Sequence, residues 1–152
     1  GVQTCALPIF GDLRILLAED HPINQRVVQL ILCPFGVELT IVGNGQEAVE
    51  AFAAGPFDLV LMDMQMPVMD GLTATRALRE HERRTPGRSR TPVVMLSANA
   101  MRQHQEAAMD SGADRHLSKP VTVTSLVDGI LEALEATDPA LAGDKASGAD
   151  RP

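Results

Sequence analysis

This sequence predicts an α/β protein with an open, doubly wound parallel sheet and helices on both faces. Three observations lead there. Short apolar runs alternate along the chain with segments whose apolar residues recur at helical spacing, the pattern of repeated βα units. The run Leu59-Val60-Leu61-Met62 is apolar throughout, as a strand covered on both faces requires. Four runs also stop at polar residues, namely Glu19-Asp20, Asp63, Ser97 and Lys119. In such a sheet the carboxyl ends of the strands share one edge, where ligands bind.

Numbered in chain order, strand β1 is expected at about 13–18. Helix α1 opens at Pro22, which suits a first helical turn because the missing N–H would find no partner there. Ile23, Val27, Leu30 and Ile31 give α1 an apolar face to about Leu32, and Pro34 with Gly36 ends it. Strand β2 alternates over 37–42 and turns at Gly43-Asn44-Gly45. Helix α2 follows over 46–54, with Ala48, Val49 and Phe52 on one side, and Gly55-Pro56 stops it. After β3 at 59–62, the loop from Met64 to Gly71 leads into α3 at about 72–83. A turn-rich basic stretch, 84–91, precedes β4 at 92–96. Helix α4 is expected at about 101–111, ended by Gly112, and β5 at 114–118. Helix α5 has the clearest stripe: Val123, Leu126, Val127, Ile130, Leu131 and Leu134 follow one continuous face. Five strands and five helices in strict alternation make a flavodoxin-like (βα)5 fold with sheet order 2-1-3-4-5.

The 152 residues, 45% hydrophobic and 22% charged, describe a single soluble domain with a real core. A net charge of -7 argues against nucleic-acid binding, which needs a basic face, and no helix-turn-helix pattern appears. No apolar stretch reaches the roughly 20 residues that span a bilayer, so no direct membrane contact is expected. Two cysteines make no disulfide framework and suit a reduced, cytoplasmic setting. Cys33, inside the α1 pattern, reads as a small buried hydrophobe. Residues 1–10 are set aside as a non-native or disordered leader, because 1–9 resemble the translation of a sequencing-library adapter. The domain proper is 11–136. Residues 137–152, rich in Ala, Gly, Asp and Pro without periodicity, read as a disordered tail or linker.

The strand-end residues define a candidate site. Asp63 is the candidate nucleophile, since a carboxylate attacking phosphorus gives an acyl phosphate. Alone it reads as an Asp opening a turn, and Asp20 alone as the N-cap of α1. Their partners change that reading. Glu19, Asp20 and Asp63 would repel one another unless a cation sits among them. Magnesium fits best, as a hard ion held by few carboxylates, waters and phosphate oxygens, with Mn2+ able to substitute. The backbone carbonyl of Gln65 is a further candidate ligand. Lys119 would offset the charge of an incoming phosphoryl group, Ser97 would bind it, and Ala98 leaves it space. Lys119-Pro120 is a candidate cis peptide that would aim the ammonium inward. His21, His81 and His104 show no metal-ligand spacing and read as surface residues. Met62, Met64, Met66 and Met69 read as core and loop packing.

Taken together, these motifs resemble the receiver domain of two-component response regulators, over about Leu13 to Ala136. The residues that carry the resemblance are Ala18-Glu19-Asp20 with Asn24-Gln25, the run from Asp58 to Gly71, Leu96-Ser97-Ala98 and Leu117-Ser118-Lys119-Pro120. It implies that Asp63 takes a phosphoryl group from a histidine on a partner, a histidine kinase or a histidine phosphotransfer domain. Magnesium would be held by Glu19, Asp20 and Asp63. Ser97 would then turn toward the phosphoryl group and the face formed by α4, β5 and α5 would switch, a surface on which a phosphorylation-dependent homodimer could form. The second switch position, usually aromatic, is His116 here, and an ordinary strand residue is an equal reading of it. Gln65 and Asn99 would set the lifetime of the acyl phosphate.

The wording around Asn24-Gln25 and Met64 to Gly71 is similar to receivers of hybrid sensor kinases, whose parent protein can be membrane-anchored. Such a domain accepts a phosphoryl group and hydrolyses it itself, and no kinase motif lies in this chain. Two other readings stand beside it: a docking module that is never phosphorylated, and a free-standing single-domain regulator. A haloacid-type phosphatase would want an Asp where Gln65 stands.

Overall fold

The computed structural model describes residues 13–98 and 101–137. The expected leader, most of the expected tail, and Asn99 lie outside the described residues. Five strands, β1 (Arg14–Ala18), β2 (Glu38–Val42), β3 (Leu59–Asp63), β4 (Val93–Ser97) and β5 (Arg115–Ser118), form one parallel sheet in the order β2-β1-β3-β4-β5. The helices are α1 (Pro22–Leu32), α2 (Gly45–Ala54), α3 (Gly71–Arg84), α4 (Arg102–Ser111) and α5 (Val123–Thr137). Fold class, strand order and every expected element agree with the sequence reading, with boundaries within a residue or so.

Alternation along the strands divides the core into two layers. Leu16, Ala18, Val60, Met62, Val93 and Met95 point to one face, where Ala48 and Phe52 of α2, Ala74 and Leu78 of α3 and Ala108 of α4 cover them. Ile15, Leu17, Leu59, Leu61, Val94 and Leu96 point to the other, under Val28 and Leu32 of α1 and Leu126, Ile130 and Ala133 of α5. Burying each such Leu, Ile or Phe stabilises the fold by about 1.5–3 kcal/mol. The central strands β3 and β4 are buried at every residue. Met62 and Met64 are core, and Met66 and Met69 pack against it, as expected of the Met-rich loop.

Three expectations are corrected. Cys33 is exposed and opens a short 3-10 turn, Cys33–Phe35, closed by Gly36 at φ 75°. Pro34 ends the helix one residue after Cys33, so that side chain leaves the apolar stripe. The N-cap of α1 is His21, whose Nδ1 accepts the Ile23 N–H at 3.3 Å, and not Asp20. His81 and His104 are half-buried and not surface residues. The His81 ring stands edge-on to Phe52 at 5.9 Å, and its Nε2 lies 3.2 Å from Arg88, whose guanidinium stacks on Phe52.

The strands' amino ends carry a different cluster. Arg79 of α3, buried, donates from Nε to Gly112 O (2.9 Å) and from Nη1 to Thr91 O (2.7 Å). It also pairs with Glu82 and Asp114, both at 2.9 Å. These bonds tie α3 to the starts of β4 and β5. Gly112 has φ 115°, and a Cβ there would come within 2.8 Å of Arg79 Cγ.

Candidate functional site

At the opposite edge of the sheet, backbone bonds carry the parallel pairing just past the strand ends. Glu19 N–H donates to Val42 O (3.1 Å), Met64 N–H to Leu96 O (2.7 Å) and Lys119 N–H to Ser97 O (2.7 Å). Each functional residue therefore leaves a rigid strand and not a loose loop. The segment after β3 returns so tightly that Gly71 N–H reaches Met64 O at 2.9 Å. A Cβ on Gly71 would sit 2.1 Å from Asp63 O, so only glycine fits. Val68, on the same loop, holds φ 69°, unusual for a β-branched residue. Asp70 caps α3, accepting from Thr73 N–H at 2.8 Å.

Glu19 and Asp63 are almost fully buried, 1% and 3% exposed, whereas Asp20 is exposed. One oxygen from each of the three carboxylates lies within 4.8 Å of the others. Lys119 bridges two of them, its Nζ lying 3.0 Å from Asp63 Oδ1 and 3.1 Å from Glu19 Oε1. Gln65 N–H donates weakly to Asp63 Oδ1 at 3.4 Å. Burial is the largest influence on Asp63 and raises its carboxyl pKa to about 6; Lys119 opposes that rise and Glu19 adds to it. Burial alone would push the Lys119 ammonium down, but its contacts with Asp63 and Glu19 prevail and hold it above the usual lysine value. One ammonium among three acids leaves the cluster short of positive charge. That donor set fits a hard divalent cation, which takes near-octahedral oxygen ligands and keeps several waters.

The structure thus brings together Glu19, Asp20, Asp63 and Lys119 from three strand ends. Ser97, buried, ends the neighbouring strand β4, one residue beyond the Leu96 that pairs with Asp63. Ala98 is exposed beside it. Lys119-Pro120 is cis. His116 stands apart, paired with Met95 in the sheet and half-buried, with a buried Nε2 that has no partner among the described residues. Its pKa is lowered by burial first and by His104 second.

Two contributors had no role assigned from sequence. Asn24 Nδ2 donates to Glu19 Oε2 (3.3 Å) and Gln25 Nε2 to Glu19 O (2.7 Å). The signal was present: amide side chains one turn into the helix that follows an acidic strand end.

Comparison with known proteins agrees with this geometry. The family model "Response regulator receiver domain" matches residues 15–131. "Sensor histidine kinase GacS" of Pseudomonas protegens is 39% identical over 119 residues, 78% of this chain and 13% of that protein. "Hybrid signal transduction histidine kinase G" of Dictyostelium discoideum is 38% identical over 117 residues, 76% of this chain and 3% of that protein. The chain therefore spans only a small part of the length of these relatives. Among solved structures, the receiver domain of sensor histidine kinase PA1611 from Pseudomonas aeruginosa PAO1, with magnesium coordinated in its active-site cleft, superposes with a TM-score of 0.71 at 32% identity. It covers 82% of this chain and 98% of that one. The Saccharomyces cerevisiae complex of the histidine phosphotransfer protein Ypd1 with the receiver domain of Ssk1 gives a TM-score of 0.74 at 27% identity, covering 83% and 89%. With its strand-end acids, its lysine and its sheet order all accounted for, this chain belongs to the response regulator receiver domains.

Proposed function

We propose that Asp63 accepts a phosphoryl group from a phosphohistidine carried by a histidine kinase or a histidine phosphotransfer protein. A carboxylate oxygen of Asp63 forms the new P–O bond. The P–N bond of the donor breaks, and its electron pair stays on the imidazole nitrogen. Glu19, Asp20, Asp63 and the carbonyl of Gln65 would hold Mg2+, with Mn2+ able to substitute, and the bound ion would supply positive charge against the phosphoryl oxygens. Lys119 then exchanges its contact with Asp63 Oδ1 for the phosphoryl group, and the Ser97 hydroxyl binds the same group beside Ala98.

Hydrolysis of the acyl phosphate ends the signal, with Gln65 and Asn99 setting how water approaches. Ser97 and His116 couple the modified site to the face formed by α4, β5 and α5, where a phosphorylated copy would pair with another. The relatives support a place within a hybrid histidine kinase, on the cytoplasmic side if that parent is membrane-anchored. Among the described residues no helix is long and apolar enough to cross a membrane. The net charge of -7 speaks against a nucleic-acid partner.

The observation that carries this reading is the 3.0 Å contact between Lys119 and Asp63 inside an acidic cluster. The test is phosphoryl labelling with acetyl phosphate and with a phosphorylated histidine phosphotransfer protein, read by intact mass. Wild-type chain should gain one phosphoryl group only with Mg2+ or Mn2+ present, and Asp63→Asn should gain none. A wild-type chain that stays unlabelled with both donors would overturn the reading.

A further inference from the structure

Glu19 is the most tightly held member of the acidic cluster, and the first turns of α1 do most of the holding. Its main-chain oxygen accepts from Gln25 Nε2 at 2.7 Å. Its Oε2 accepts from the His21 N–H at 3.2 Å and from Asn24 Nδ2 at 3.3 Å. Its Oε1 takes the Lys119 ammonium at 3.1 Å. With 1% of its surface exposed, Glu19 has no water to replace a lost donor easily. The Asn24 and His21 bonds are both at the long end of the normal range, so the carboxylate depends on the two together.

The Gln25 bond acts on a different part of the residue. It ties the Glu19 carbonyl back onto α1, so the peptide plane joining Glu19 to Asp20 cannot turn. Asp20 is exposed, and that peptide plane fixes where its side chain starts. One amide thus orients the Glu19 carboxylate and the next orients the Glu19–Asp20 peptide.

We propose that Asn24 and Gln25 are positioning residues for a divalent cation: they set the separation of the Glu19, Asp20 and Asp63 carboxylates before any ion arrives. This rests on reading the acidic cluster as a Mg2+ site. Groups that orient metal ligands without touching the metal commonly change its affinity by about 10- to 100-fold when removed. Without Asn24 the Glu19 Oε2 keeps only the long His21 N–H bond, and the carboxylate can turn about its Lys119 contact in a space shared with two like charges. Without Gln25 the Glu19–Asp20 peptide rotates and Asp20 loses its place.

The test measures Mg2+ binding to the full chain by calorimetry, with Mn2+ binding by electron paramagnetic resonance as a second probe. Asn24→Ala and Gln25→Met should each weaken Mg2+ about tenfold or more. The metal-free melting temperature should fall no further than in Gln29→Ala, a control on the exposed side of α1. Because Asn24 acts through Glu19, Asn24→Ala should cost nothing further in a Glu19→Ala background. Unchanged Mg2+ affinity in both variants, or an equal loss in the Glu19→Ala background, would overturn the proposal while leaving the cation site intact. A wild-type chain that binds neither ion would overturn both. Should the variants not fold, the metal-free wild-type NMR spectrum decides. Slow exchange of the Asn24 side-chain amide protons supports the clamp, and rapid averaging with solvent overturns it.

Discussion

Lys119 Nζ lies 3.0 Å from Asp63 Oδ1, yet Asp63 still has a carboxyl pKa raised to about 6. The lysine is shared with Glu19, and burial outweighs what remains of its pull. In the metal-free state the site is therefore poised near neutrality, with Asp63 reluctant to carry charge until more positive charge enters.

Metal affinity should follow that titration. Below about pH 6 Asp63 holds a proton that an ion must displace, so Mg2+ affinity should fall about tenfold per pH unit there and level off above it. The metal-free fold responds in the opposite sense. A carboxyl raised above its usual 3.8 is protonated more readily when folded, so its contribution to stability grows as pH falls from about 6 toward 3.8. Calorimetric titrations from pH 5 to 8, with carboxyl carbon NMR of the metal-free chain, check both.

Removing Lys119 should separate ion binding from chemistry. Lys119→Met takes a cation away from the carboxylates that would hold Mg2+, so the ion should bind several-fold tighter. Phosphoryl uptake from acetyl phosphate should nevertheless drop about 100-fold, because a preorganised charge facing the transferred group is lost. Equal falls in both quantities would mean that Lys119 only supports the fold.

His116 offers a stability test away from the site. Its buried Nε2 lacks a partner among the described residues, so His116→Phe should stabilise the chain by about 1 kcal/mol. Burial, then His104, lowers the pKa of His116 below the usual 6.5. The unfolded chain therefore binds this proton first, and stability is lost as pH falls below 6.5. Urea melts at pH 7.5 and 5.5 should show a smaller acid loss in His116→Phe than in wild type.

Arg79→Met should destabilise the fold by about 3 kcal/mol, because it leaves the largely buried Glu82 without its cation and takes from Asp114 one of its two, Arg90 remaining at 2.8 Å. Phosphoryl uptake per folded molecule should stay unchanged, since Arg79 ties the amino ends of β4 and β5 and Asp63 lies at the carboxyl end of β3. Thermal melts and labelling at a temperature where the variant is folded check the pair of expectations.

Much of this protein is legible in its residue order. Alternating periods of two and 3.6 mark strands and helices. The uniformly apolar 59–62 marks a covered central strand, and parallel winding then sends Glu19, Asp20, Asp63, Ser97 and Lys119 to one edge. That inference needs only chain direction and strand order, which are coarse properties that short-range pattern encodes. Partner choice is of another kind. Which oxygen Lys119 takes, that His21 and not Asp20 caps α1, that Cys33 turns outward and that His116 Nε2 meets no partner among the described residues all depend on angstrom-scale packing between segments distant in sequence. Asn24 and Gln25 show the boundary most plainly. Their presence one turn into α1 is written in the sequence, but only the angle at which α1 leaves β1 decides that their amides reach Glu19.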